Sequence, residues 1–172
     1  NMKKMMEQML ELAKASEQPK IEWETVAIKP LLEEIAQRMK QAYGTHIKIT
    51  GDNLSILSDE AKLKQLLFIF LDNAKKYSEQ PIDVEIVTGA VVQIRITDYG
   101  VGIPQDDLPH LFDRFYRVDK TRNRQTGGTG LGLSIAKQLA QLLAIKIDMT
   151  STVGVGTTVT LSFTERGVDD AT

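Results

Sequence analysis

Asn73 and Lys76 stand three residues apart in an apolar, helix-patterned stretch, and Asp98 precedes two glycines in Asp98-Tyr99-Gly100-Val101-Gly102. Further on, Gly127-Gly128-Thr129-Gly130-Leu131-Gly132-Leu133 opens into the apolar run Ser134 to Leu143. Four glycines in six positions are poor core material, but they admit positive φ and let a backbone come close to a ligand. Where such a loop feeds a helix, unpaired N–H groups meet the positive end of the helix dipole, a setting for phosphate. An amide and an ammonium on one side of a helix suit Mg2+ with its phosphates, the amide giving a carbonyl oxygen and the lysine a point charge. Singly, these features have plainer meanings: a hinge for the glycines, a solvated helix end for Asn73 and Lys76, an Asp-x-Gly turn for Asp98. A Walker A loop is excluded because Gly132 is followed by Leu133 and Ser134, and the dinucleotide fingerprint because the glycines follow a polar, basic stretch rather than a strand.

The chain that must position these residues has the size and makeup of one globular domain: 172 residues, 42% hydrophobic and 26% charged. A formal net charge of -2 gives no case for nucleic acid as a partner. The absence of cysteine excludes disulfides and thiolate metal sites and suits a reducing compartment. No run approaches a membrane span, and no secretory signal is visible.

Met2, Met6, Met9 and Ala13 recur at helical spacing with charge on the other side, which predicts an amphipathic helix, its methionines core or a dimer contact, and then a polar linker at residues 15–20. A strand is expected at Ile21 to Ile28 and a helix from Lys29-Pro30 to Tyr43, stopped by Gly44. Ile47 to Thr50 and Leu54 to Ser58 read as short β pieces about the turn Gly51-Asp52-Asn53. Asp59 or Ser58 can cap the next helix, to Tyr77, whose Leu63, Leu66, Leu67, Phe70, Leu71 and Ala74 make a core face. Ile82 to Thr88 and Val91 to Thr97 read as a hairpin, and continuing the period of two puts Asp98 on the apolar face of Val92, Ile94 and Ile96. A carboxylate there needs a donor, which an exocyclic amine such as that of adenine supplies, and the two glycines leave room for a flat ligand. Pro104 to Thr126 is long and polar for a connection and reads as a lid, with Leu111, Phe112, Phe115 and Tyr116 as an apolar latch and a surplus of basic residues to meet a triphosphate. A helix to about Leu143, a strand near Ile145 to Ser151, the turn Gly154-Val155-Gly156-Thr157 and a last strand, Thr158 to Phe163, complete the pattern, and residues 164–172 read as a disordered tail.

Asn73 with Lys76, Asp98-x-Gly100-x-Gly102, Phe112-Asp113-Arg114-Phe115, Gly128-x-Gly130-Leu131-Gly132 and Gly154-x-Gly156-Thr157 follow one another in a specific order. In that order they resemble the nucleotide-binding boxes of the catalytic, ATP-binding domain of sensor histidine kinases. The resemblance covers residues 21–163, leaving 1–20 as the end of a preceding dimerisation helix with its linker. It implies an α+β fold of the Bergerat type, a two-layer sandwich in which three helices cover one face of a mixed sheet of about five strands, with a long ATP lid. By the same likeness the nucleotide meets Asn73, Lys76, Tyr77, Asp98, Gly100, Gly102, Ile103, Tyr116, Arg117, Thr129, Gly130, Leu131, Gly132, Leu133 and Thr157, with adenine on Asp98 and Mg2+ on Asn73.

The chain departs from the family pattern at Ile69, where many members carry a second Asn, so a leaner Mg2+ shell is implied. Hydrolytic relatives of this fold carry a water-activating Glu around that turn. Ile69 cannot act as a base, so phosphoryl transfer is favoured over hydrolysis. His46 and His110 precede Ile47 and Leu111 rather than an acid, so the phosphoacceptor histidine is expected on a separate domain, and these two at the surface or in the lid. The resemblance further implies a response regulator as partner, a homodimeric parent anchored in the bacterial membrane, and a cytoplasmic place for this domain. Two other readings stay open: a serine kinase of the anti-sigma type on the same fold, and a nucleotide-binding module without catalysis.

Overall fold

The computed structural model describes residues 3–8, 20–113 and 132–164. Residues 3–8 are helical, as the methionine spacing predicts, with Met5 and Met6 exposed. The first strand, β1 (Glu24–Ala27), is shorter than expected because the chain turns helical at Ile28. Helix α1 (Ile28–Tyr43) carries Pro30 in its first turn, where a missing N–H is tolerated. It ends on Gly44, left-handed at φ 70°, whose N–H bonds the Lys40 carbonyl at 2.9 Å.

The next two strands, β2 (Ile47–Gly51) and β3 (Ser55–Ser58), are neighbours in sequence and part company in space. β2 pairs in parallel with β4 (Ile82–Val87), whereas β3 pairs antiparallel with β1 in a separate two-stranded ribbon. Gly51 marks the departure: at φ 107° its backbone lies so close to Ile86 that a Cβ would sit 2.3 Å from the Ile86 carbonyl oxygen. Asp59 then caps α2 (Glu60–Tyr77), its side chain accepting from the Lys62 N–H at 3.1 Å.

β4 and β5 (Val92–Asp98) form the expected hairpin, and a 3-10 turn, Leu108–His110, follows. Helix α3 (Gly132–Leu142) begins two residues before the predicted Ser134, taking Gly132 and Leu133 into its first turn. β6 (Ile145–Thr152) and β7 (Gly156–Phe163) close the main sheet in the order β2-β4-β5-β7-β6. β7 starts earlier than the sequence suggested because Gly156 and Thr157 already pair, with Thr152, Ser151 and Asp98.

One face of this sheet is greasy and one is wet. Ile82, Val84, Ile94, Ile96, Val159, Leu161 and Phe163 join Leu32 and Ile35 of α1, Leu66, Leu67 and Phe70 of α2, and Ala136 and Leu139 of α3 in a single core. Burying a Leu or Phe in this way contributes about 1.5–3 kcal/mol each. The opposite face carries polar cross-strand pairs, Thr97 with Thr158 at 3.2 Å and Gln93 with Ser162 at 3.1 Å. The architecture is therefore the expected two-layer α+β sandwich with a mixed sheet of five strands.

Candidate functional site

Asp98 ends β5 on the core face and is 8% exposed. The Gly100 N–H donates to its Oδ1 at 3.0 Å, and the Thr157 N–H donates to the same carboxylate. Burial pushes the carboxyl above the ordinary range, and these two backbone donors pull it only part of the way back. Among the described residues no cation offsets the burial.

The glycines after Asp98 lie against neighbouring backbone. A Cβ on Gly100 would stand 1.9 Å from the Tyr77 carbonyl oxygen, and one on Gly102, at φ 76°, would stand 2.3 Å from that of Thr152. The room they make is filled by the protein's own backbone. The loop is thereby clamped between the end of α2 and the β6–β7 turn, with Val101 N–H donating to Tyr77 O at 3.3 Å and Gly154 N–H to Val101 O at 2.8 Å. That clamp brings Asp98 to the end of α2 that bears Asn73, Lys76 and Tyr77.

Asn73 is half-buried one turn before Tyr77. Lys76, expected as a point charge for phosphates, pairs with Asp72 at 3.2 Å, both side chains being largely buried. Asp72 was not foreseen, although its spacing of four from Lys76 on a helix is a signal that sequence carries. The start of α3 comes to the same helix, a Cβ on Gly132 lying 3.8 Å from Ile69 Cγ2, and Leu133 packs on the core. Residues from α2, the β5 end, the β7 start and the first turn of α3 thus converge. Tyr116, Arg117, Thr129, Gly130 and Leu131 lie outside the described residues.

A second set of bonds was missed. The Ile103 N–H donates to Ser151 Oγ at 2.7 Å, Ser151 Oγ donates to Gly156 O at 3.0 Å and lies 2.7 Å from Thr157 Oγ1, and Gln105 Nε2 donates to Ser151 O at 2.8 Å. Ser151 could have been found as Asp98 was, being a polar residue in phase with Ile145, Ile147 and Met149 on the inner face of its strand. In the expected latch, Leu111 is buried and Phe112 packs against the core, while Phe115, like Tyr116, falls outside the described residues. His46 is exposed, and His110 is exposed with Nδ1 3.2 Å from Asp113 Oδ2. Among the described residues no group of three or more His, Cys, Asp and Glu could hold a metal ion. A cation at Asn73 would take most of its oxygens from a ligand and water, which fits Mg2+ and a triphosphate.

The family model for histidine kinase-, DNA gyrase B- and HSP90-like ATPases matches residues 58–167, and the chain belongs to that family. It is 43% identical over 169 residues to the sensor histidine kinase YkoH of Bacillus subtilis (strain 168), covering 96% of this chain and 37% of YkoH. It is 38% identical over 167 residues to the signal transduction histidine-protein kinase ArlS of Staphylococcus aureus (strain USA300), covering 93% of this chain and 37% of ArlS. The chain therefore spans little more than a third of these relatives. Among solved structures, full-length ShkA in complex with AMPPNP superposes with a TM-score of 0.79 at 24% identity, over 96% of this chain and 35% of that one. The mycobacterial sensor histidine kinase MprB superposes at 0.72 with 22% identity, over 83% of this chain and 97% of that one, and both likenesses bear on the fold. The described residues include no helix long and apolar enough to cross a membrane.

Proposed function

We propose that this chain is the ATP-binding catalytic domain of a two-component sensor histidine kinase, transferring the γ-phosphoryl group of ATP to a histidine on a separate dimerisation and phosphoacceptor domain. The observation that carries the reading is Asp98, a buried carboxylate with two backbone donors and, among the described residues, no cation, clamped by Gly100 against the helix end that bears Asn73 and Lys76. Such a group lacks a donor that the amine of adenine supplies. The names of YkoH and ArlS, and the AMPPNP bound by ShkA, support the same reading.

In this reading Asn73 offers its carbonyl oxygen to Mg2+, which when bound neutralises triphosphate charge. Tyr77, Gly100, Gly102, Ile103 and Thr157 border the base and ribose. Lys76, Tyr116, Arg117 and Thr129 to Leu133 serve the phosphates. Ile69, apolar and packed at the start of α3, supplies no base for water, so the domain positions the nucleotide and leaves the nucleophile to its partner. The whole protein would act as a membrane-anchored dimer that passes the phosphoryl group to a response regulator, with this domain in the cytoplasm.

Incubating the chain with radiolabelled ATP, Mg2+ and a histidine phosphoacceptor domain tests the proposal. Label is expected on the acceptor, none on this chain alone, and none on either with Asp98→Asn. Label on His46 or His110, or transfer unaffected by Asp98→Asn, would overturn it.

A further inference from the structure

Three polar side chains stand in one cross-strand row on the inner face of the sheet. Asp98 of β5 pairs with Thr157 of β7, and Thr157 pairs with Ser151 of β6. Residues paired directly across strands project to the same face, so the three are neighbours, and all three are buried.

Ser151 Oγ has three bonded neighbours and one proton to give. The Ile103 amide can only donate to Ser151 Oγ, and the Gly156 carbonyl can only accept from it. The one hydroxyl proton of Ser151 is therefore committed to Gly156. The 2.7 Å contact between Ser151 Oγ and Thr157 Oγ1 must then use the Thr157 proton. Ser151 fills its single donor and both acceptor positions. Thr157 has spent its only proton and offers lone pairs alone on its remaining side, next to a carboxylate that when ionised also offers lone pairs alone.

We infer that Ser151 is the positioning residue that sets purine selectivity in the proposed nucleotide site: by holding the Thr157 proton, it turns the Asp98–Thr157 pair into an all-acceptor edge. Such an edge receives a 6-amino group, directly or through a water that donates to it. It repels a 6-oxo group at the same place, because two acceptors then face each other with no proton between them. Without the Ser151 hydroxyl, Thr157 could turn its proton toward the ligand and accommodate the oxo group. Ser151 itself touches no ligand in this account and acts through Thr157. The inference rests on the nucleotide reading above.

Equilibrium binding of ATP and of ITP, its 6-oxo counterpart, to this chain and to Ser151→Ala, Thr157→Val and the double variant tests it. The unaltered chain is expected to prefer ATP. Ser151→Ala narrows the ATP to ITP affinity ratio by about tenfold, the factor of one neutral hydrogen bond. Thr157→Val narrows it comparably, and the double variant narrows it no further than Thr157→Val alone, because Ser151 has no other route to the ligand. Should Ser151→Ala not fold, Ser151→Cys keeps the side chain's size with a feeble acceptor and is read in the same way. Equal loss of both nucleotides in the Ser151 variant at an unchanged ratio, or a double variant in which the two effects multiply, would overturn the assignment. Failure of the unaltered chain to bind either nucleotide would instead overturn the nucleotide reading itself.

Discussion

Asp59 and Asp98 are both buried carboxylates, 5% and 8% exposed, and they titrate in opposite directions. Burial raises each of them. At Asp59 it is outweighed by the Glu22 N–H at 3.0 Å, the Lys62 N–H at 3.1 Å and the Lys62 ammonium at 3.4 Å, so the carboxyl is held below the ordinary range. At Asp98 two backbone donors and, among the described residues, no cation leave burial in command, and the carboxyl is held above it. The first residue ties the segment before β1 to the start of α2. The second keeps acceptor capacity that its two backbone donors do not fill. Unequal satisfaction of two otherwise similar groups separates a fastening from a receptor.

The largest effect that bears on this contrast is expected at Asp98. Replacing it by Asn should weaken ATP binding on the order of a hundredfold, since a hydrogen bond to a charged group is at stake. Urea stability should stay the same or rise, because the group removed is a poorly paired buried charge. An affinity within a factor of about three of the parent, or a clear loss of stability, would abolish the distinction. Asp59→Ala is the mirror case: a loss of about 2 kcal/mol from the cap and the bond to Glu22, with ATP affinity of the folded protein unchanged.

A pH series should show the two signs directly. The contribution of Asp98 to stability is present below the ordinary carboxylate value and is lost as pH rises through its raised folded value. That of Asp59 is present above the ordinary value and is lost as pH falls through its lowered folded value. ATP affinity should drop on acidification through the raised Asp98 value, because a charged carboxylate accepts from the amine more strongly than a neutral carboxyl does. Urea titrations of the parent against Asp98→Asn and Asp59→Asn at roughly pH 3 to 6 should give difference slopes of opposite sign. The smallest effect is expected for Lys62→Met, about 0.5 kcal/mol by the same titration, together with an upward drift of the Asp59 carboxyl.

The two aspartates also differ in how they could be foreseen. A cap at Asp59 or Ser58 follows from their place before an apolar helical run, and Asp98 from a period of two carried one step past Ile96. Each inference spans a few residues, and each holds. Ser151 obeys the same period and was passed over, because a serine at a strand end has many uses and its partners Ile103, Gly156 and Thr157 come from other segments. Gly100 and Gly102 read in sequence as leaving room for a flat ligand, and the structure sets the backbone of Tyr77 and Thr152 against them. Glycine records that space is needed without recording what fills it.

Periodicities and caps act over a turn of helix or a few strand residues, so the order of elements, the core faces, a cap at Asp59 or Ser58 and the inward aim of Asp98 were already written in the chain. The split of β2 and β3 between two sheets, the Asp59 bond to Glu22 thirty-seven residues away and the Asp98–Thr157–Ser151 row could arise only once distant strands had paired. Register between strands sets which donors reach a carboxylate, and that register depends on how the whole apolar face packs beneath the helices.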